Sequence, residues 1–181
     1  MRRVFVPLLL CLCLLLTGCQ SEAKSRYEEF SRELSEKTDF GFTADVRAEY
    51  QDKTAEFTVE YIRYEGGCSV TVVEPELIRG VTAHMADGKT RLEFSGVILD
   101  VGPLDEHGLT PMSALPTLVR AMQSGHLESI RSENGELAAE LKPEDHLTVT
   151  VWFEEESMTP LRAEIASGGR VAVYCDLKDW S

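Results

Sequence analysis

The side chains with the richest chemistry in this 181-residue chain are its five cysteines, Cys11, Cys13, Cys19, Cys68 and Cys175. Cys68 and Cys175 fall in strand-like runs, Cys68-Ser69-Val70-Thr71-Val72 and Val171-Ala172-Val173-Tyr174-Cys175. Outside the cytoplasm they can pair as a disulfide; as buried free thiols they serve as small apolar residues. The four histidines, His84, His107, His126 and His146, are far apart and share no metal-ligand spacing, so surface and cap roles outweigh metal binding. Asp105-Glu106-His107 reads as a solvated loop. Glu154-Glu155-Glu156 reads as a solvated strand end, with a docking site for a basic protein partner as the alternative. There is no Gly-x-Ser-x-Gly, no P-loop and no Cys-x-x-Cys, the motifs that would carry acyl transfer, nucleotide binding or redox exchange. Ser124-Gly125-His126 has no supporting context for nucleophilic catalysis. The expectation is a non-enzymatic protein with no catalytic residue, no cofactor and no metal.

Cys11 and Cys13 lie in an apolar run that follows Met1-Arg2-Arg3 and ends at Leu16-Thr17-Gly18-Cys19. Two positive charges, about a dozen apolar residues and small residues before a cut site describe an export signal. The run is too short to span a bilayer, which takes ~20 residues. The whole chain carries 18 Lys and Arg against 31 Asp and Glu, a net charge of −13. Removal of residues 1–18 takes Arg2 and Arg3 and leaves 163 residues at −15. Polyanions should repel such a chain, which argues against nucleic acid as a partner. An anionic bilayer should repel it too, so membrane residence needs a lipid rather than a basic patch.

The elements that must position any site follow from the hydrophobic period. Tyr27, Phe30 and Leu34 recur at helical spacing and predict a first, narrowly amphipathic helix. From Thr38 the period becomes two: Phe40, Phe42, Ala44, Val46, Ala48 and Tyr50 alternate with polar residues, as in a half-buried strand. Strands over Ala55–Tyr61, Cys68–Val73, Ile78–Met85, Thr90–Phe94 and Val97–Val101 extend a meander, with Asp87-Gly88 as a hairpin turn. Ser113 can cap a second helix with Pro116 in its first turn and Gly125 at its end. Leu115, Leu118, Val119 and Met122 give that helix a wide apolar stripe. Strands resume around Asn134-Gly135 and continue through Leu147–Phe153, Leu161–Ile165 and Val171–Cys175. About ten strands and two apolar-faced helices predict an α+β fold. Its large antiparallel sheet curls into an incomplete β-barrel, with both helices on the concave face.

Leu16-Thr17-Gly18-Cys19 resembles the lipobox of bacterial lipoproteins. That resemblance implies a diacylglyceryl group on the Cys19 sulfur, with palmitate-type chains, and cleavage after Gly18. Two acyl chains suffice for stable anchoring. Residues 1–18 are then the signal peptide, and 19–25 the lipidated cysteine with a short tether. Gln20 to Ser25 reach at most ~21 Å, which keeps a domain over 26–181 at the extracytoplasmic membrane face. The order of elements resembles the LolA and LolB carrier and receptor fold and the outer-membrane-lipoprotein-sorting-like proteins of Gram-positive bacteria. The likeness rests on the first helix, Val70-Thr71-Val72-Val73-Glu74-Pro75-Glu76, Ser113-Ala114-Leu115-Pro116-Thr117-Leu118 and Thr159-Pro160-Leu161-Arg162-Ala163-Glu164-Ile165. It implies a hydrophobic cavity for a lipid-like or acylated ligand, with Leu115, Leu118, Val119 and Met122 as its wall, and no catalytic residues. The stripe is core unless the sheet curls without collapsing onto it; a packed module that docks a protein partner in the cell envelope is the competing expectation.

Overall fold

The computed structural model describes residues 22–50, 53–102 and 109–181. The signal and lipobox-like stretch through Cys19, and the Asp105-Glu106-His107 loop, lie outside the described residues. The chain opens with α1 (residues 22–36), then β1 (Phe40–Tyr50), β2 (Lys53–Tyr64), β3 (Gly67–Glu74), β4 (Thr82–Ala86), β5 (Lys89–Phe94) and β6 (Val97–Asp100). Helix α2 (Pro111–Ser124) leads to β7 (His126–Glu133), β8 (Glu136–Glu144), β9 (Leu147–Glu154), β10 (Pro160–Ser167) and β11 (Arg170–Lys178).

All eleven strands join one sheet in the order β6-β5-β4-β3-β2-β1-β11-β10-β9-β8-β7, every pair of neighbours antiparallel. Sequence neighbours are spatial neighbours except at one seam, where β11 returns to β1. The two sheet edges, β6 and β7, are therefore joined through α2, which must cross the sheet. It contacts β3 on one side and β8 on the other. Those strands are six spacings apart, about 29 Å in a flat sheet. A 14-residue helix is about 21 Å long and 10–12 Å wide. One helix reaches both strands only if the sheet curls around it, which makes the architecture a half-barrel with its helices inside.

The curl has local causes. Register shifts interrupt the ladders at Thr58/Val59, Leu127/Ser129, Leu141/Glu144, Pro160/Arg162 and Ile165/Ala166, and such irregularities bend and twist strands. Small residues on the inner face, Ala44, Ala48, Ala139 and Ala163, are fully buried and leave room for the helices. The period-two stripe of β1 is the buried one, as are Leu147, Val149, Val151 and Phe153 of β9.

Helix α1 docks on α2 and the C-terminal half of the sheet. Tyr27 and Phe30 meet Phe153 edge-on at 5.9 and 5.0 Å between ring centres. The Tyr27 hydroxyl donates to the Met122 carbonyl at 3.3 Å, and Gln123 Nε2 to the Leu34 carbonyl at 3.0 Å. Ala23 continues the buried stripe one turn back, so residues 22–25 are helix rather than tether.

The eleven strands are close to the ten or so expected. Two further expectations need correction. A strand does not start at Ile78: after Pro75 the chain makes a 3-10 turn over Glu76–Ile78, and Gly80 adopts φ +84° before β4 begins. The cap of α2 is Thr110, not Ser113. Thr110 Oγ1 accepts from the Ser113 amide and Ser113 Oγ from the Thr110 amide, both at 3.2 Å. That reciprocal pair satisfies two amides that the first turn leaves open, with Pro111 at the first helical position and Pro116 in the helix interior. Gly125 does end α2, in an extended rather than left-handed conformation.

Acid stability depends in part on exposed ion pairs. Arg162 grips both carboxylate oxygens of Glu136 at 2.8 and 2.6 Å and holds its pKa below the usual value. Lys178 holds Asp45 Oδ2 while Thr58 donates to Oδ1 at 2.9 Å, and together they lower the Asp45 pKa. A carboxylate whose pKa is lowered by folding stabilises at neutral pH, and that stabilisation is lost as the pH falls through its folded value. Glu136→Gln is therefore expected to flatten the decline of stability below about pH 4.5, read from urea midpoints at several pH values. Because both pairs are open to solvent on at least one side, high salt should shrink the effect.

Candidate ligand cleft under the second helix

Where the β4–β5 hairpin meets α2, a cleft of about 590 Å³ opens between the helix and the inner face of β2 to β5. Strand register builds its sheet wall. Arg63 of β2 pairs with Cys68 of β3, Cys68 with Met85 of β4, and Met85 with Thr90 of β5. Directly paired residues share a face, so these four form one row across the inner side. The next row inward, Tyr61, Val70 and Ala83, is closed to solvent. The helix wall comes from Pro116, Thr117, Val119, Arg120 and Gln123, successive positions on one side of α2.

The floor is apolar and the rim is charged. Tyr61, Cys68, Met85 and Val119 form the floor. Three cations, Arg63, Lys89 and Arg120, line the cleft against two acids, Asp87 and Glu144. Arg120 is bound to Glu144 at 3.0 Å. Lys89 has no ion pair among the described residues. Arg63 leans on the Tyr61 hydroxyl and beside the Cys68 thiol, yet its Nε is buried without a hydrogen-bond partner. Burial raises the pKa of the Tyr61 hydroxyl and of the Cys68 thiol, the latter against the opposing pull of Tyr61 and Arg63. Both groups are neutral at physiological pH.

The four residues expected to wall a cavity divide. Val119 lines the cleft. Leu115, Leu118 and Met122 are wholly buried in the core, because the curled sheet closes onto the broad face of α2. Arg63, Lys89 and Arg120 were not singled out from the sequence. Arg63 carried a readable signal: Val59, Tyr61 and Arg63 share the inner face of β2, so its charge faces inward.

Cys68 and Cys175 are both free and buried. Three strand spacings separate β3 from β11, about 14 Å. Along the strands, Cys175 stands level with Val46, and Cys68, through Arg63, level with Phe40. That adds six residues, about 20 Å. A disulfide, which needs Cα atoms within about 7 Å, is excluded. Burial pushes the Cys175 thiol up to about 12. At pH 8 the native protein is expected to react slowly with an alkylating reagent, Cys68 first because it borders the cleft. Unfolding should expose both thiols at once. A two-dalton mass gain on reduction of the intact protein would contradict this assignment.

The remaining sequence candidates do not assemble into a site. His84 pairs with Glu93 at 3.2 Å, and His146 lies 3.7 Å from Glu144. No group of three or more His, Cys, Asp or Glu is placed to hold a metal among the described residues. Ser124 Oγ donates to the Arg120 carbonyl of its own helix. The acidic run at the end of β9 is partly engaged: Glu154 accepts from Ser157, Glu155 from Ser132, and the Glu156 carbonyl from Arg26 of α1. Among the described residues, no helix is long and apolar enough to cross a membrane.

No protein family matches the chain by sequence, and no curated protein does either. Solved structures do resemble it. An uncharacterised conserved protein from Thermus thermophilus aligns with a TM-score of 0.50 at 10% identity, over 87% of this chain and 86% of that one. That likeness shows a shared fold. A LolA superfamily protein from Nitrosomonas europaea aligns at 0.48 and 14% identity, over 88% and 92%. A chain from the complex of the Clostridioides difficile CwlD amidase with the GerS lipoprotein aligns at 0.48 and 13%, over 87% and 94%.

Proposed function

We propose that the protein is a non-enzymatic lipoprotein that holds a lipid-like or acylated ligand in the cleft under α2. A diacylglyceryl group on Cys19 would anchor it at the extracytoplasmic face of the cell membrane, in keeping with the lipobox-like stretch and the excess of acidic residues. The observation that carries the ligand reading is the cleft itself. Its volume lies within the 300–1,000 Å³ range of small-molecule sites, and its apolar floor with a few polar groups at the rim is the usual composition of such sites. Among the described residues, none in the cleft pairs a nucleophile with a base, which favours binding over catalysis.

Native mass spectrometry of residues 20–181, purified without detergent and then extracted with organic solvent, tests the reading. Every described element lies within that span. Bound acyl species at one per chain are expected. An apo mass that persists after lipid is offered would overturn it. Replacing Cys19 with Ala tests the anchor separately: the variant should leave the membrane fraction, and retention after a carbonate wash would remove the anchor assignment.

One observation favours a second reading, docking of a protein partner. Strand β6 is an open sheet edge whose Val97, Ile98 and Leu99 are 69%, 63% and 60% exposed. Such an edge can accept an added strand. A persistent apo mass would turn the search to that edge.

A further inference from the structure

We propose that the cleft selects amphiphiles by an anionic head group, with Arg63 and Lys89 as the head-group ligands and the alkyl tail against Tyr61, Met85 and Val119. This inference rests on the ligand reading above and adds the class of ligand to it. Buried donors are almost always satisfied, because an unmade hydrogen bond forfeits the whole desolvation cost of the group. Arg63 lines this cleft, and its Nε is buried and unpartnered. A small rotation of the side chain that brings its guanidinium to a ligand oxygen would complete it. Lys89, at the start of β5, adds a second cation with no ion pair among the described residues. Thr90 and Thr117, both buried at the cleft, have hydroxyls with no hydrogen bond among the described residues. They can donate to the same oxygens.

The charge distribution points the same way. Acids outnumber bases 31 to 18 in the chain, whereas cations outnumber acids three to two at the cleft. Arg120 already neutralises Glu144, so the positive charge left over belongs to Arg63 and Lys89, opposed by the exposed Asp87 alone. A phosphate or carboxylate head fits that field and supplies the acceptor oxygens. A quaternary ammonium head would leave Arg63 unsatisfied and meet like charge.

The test titrates detergent-free residues 20–181 with three dodecyl amphiphiles below their micelle concentrations: dodecyl phosphate, dodecyl maltoside and dodecyltrimethylammonium. Dodecyl phosphate is expected to bind at least about tenfold more tightly than the maltoside, with an affinity that falls as salt rises. The trimethylammonium compound should not bind. Arg63→Gln and Lys89→Gln should each weaken dodecyl phosphate about tenfold and leave the maltoside within about twofold. Lys89 is exposed, so its variant keeps the test valid even if Arg63→Gln perturbs folding. Equal affinity for phosphate and maltoside would overturn head-group selection and leave the ligand reading standing. Binding of none of the three would remove the ligand reading, and this inference with it.

Discussion

Phe153→Ala is expected to lower the stability of the fold by about 3–5 kcal/mol. Phe153 is completely buried near the end of β9. Its ring is the anvil on which α1 rests, with Tyr27 and Phe30 both edge-on to it. Truncation removes the transfer free energy of the ring and leaves a cavity roofed by a helix rather than by strands. Aromatic pairs of this kind add roughly 0.5–1.5 kcal/mol each beyond burial. Against a typical total of 5–15 kcal/mol, the loss is a large fraction. Urea unfolding should show a lower midpoint with little change in slope. Phe153→Leu, which refills most of the volume, should cost much less. A loss below about 1 kcal/mol for the alanine variant would mean that α1 is not packed there.

The second large effect is expected at Gly67, the first residue of β3. A Cβ there would stand 2.5 Å from the Met85 carbonyl oxygen and 2.9 Å from the Tyr64 ring. Backbone of a paired strand cannot swing aside as a flexible side chain can, so Gly67→Ala must push β3 from β4. Overpacking of this kind costs about 1–3 kcal/mol. It also pulls apart the row Arg63, Cys68, Met85 and Thr90, so ligand affinity should fall with stability. The adjacent Gly66 is the control. It has φ +86° and open space around its Cβ position, so Gly66→Ala costs through conformation alone, about 1–2 kcal/mol, and should leave the cleft intact. Unfolding curves and ligand titrations on both variants check the contrast. Full ligand affinity in Gly67→Ala would show that this close approach does not shape the site.

Local signals in the sequence carried well into the structure. The alternation from Phe40 to Ala48 marks the buried face of β1. Asp87-Gly88 and Asn134-Gly135 form hairpin turns, with φ of 52° and 70°, and 55° and 82°, the pair of positive values that a type I′ turn requires. The stripe on α1 wanted a partner and found Phe153 and α2. Signals that depend on distant strands were not legible. Whether Leu115, Leu118 and Met122 face a void or a packed core depends on how tightly the sheet curls, and bulges scattered over five strand pairs set that curl. The fate of Cys68 and Cys175 depended on the seam between β1 and β11, which joins residues more than a hundred positions apart. The start of α2 turns on a nearer signal: Thr110 and Ser113 are both good caps, and Pro111 settles the choice, because proline is favoured at the first helical position.

Photo-crosslinking with a diazirine-bearing fatty acid, followed by peptide mapping, shows whether a ligand sits under α2. Crosslinks are expected on Tyr61, Met85 and residues 116–120, and they should be lost when Thr117→Trp fills the cleft. Crosslinks gathered on Val97, Ile98 and Leu99 of the β6 edge, or none above background, would contradict that placement.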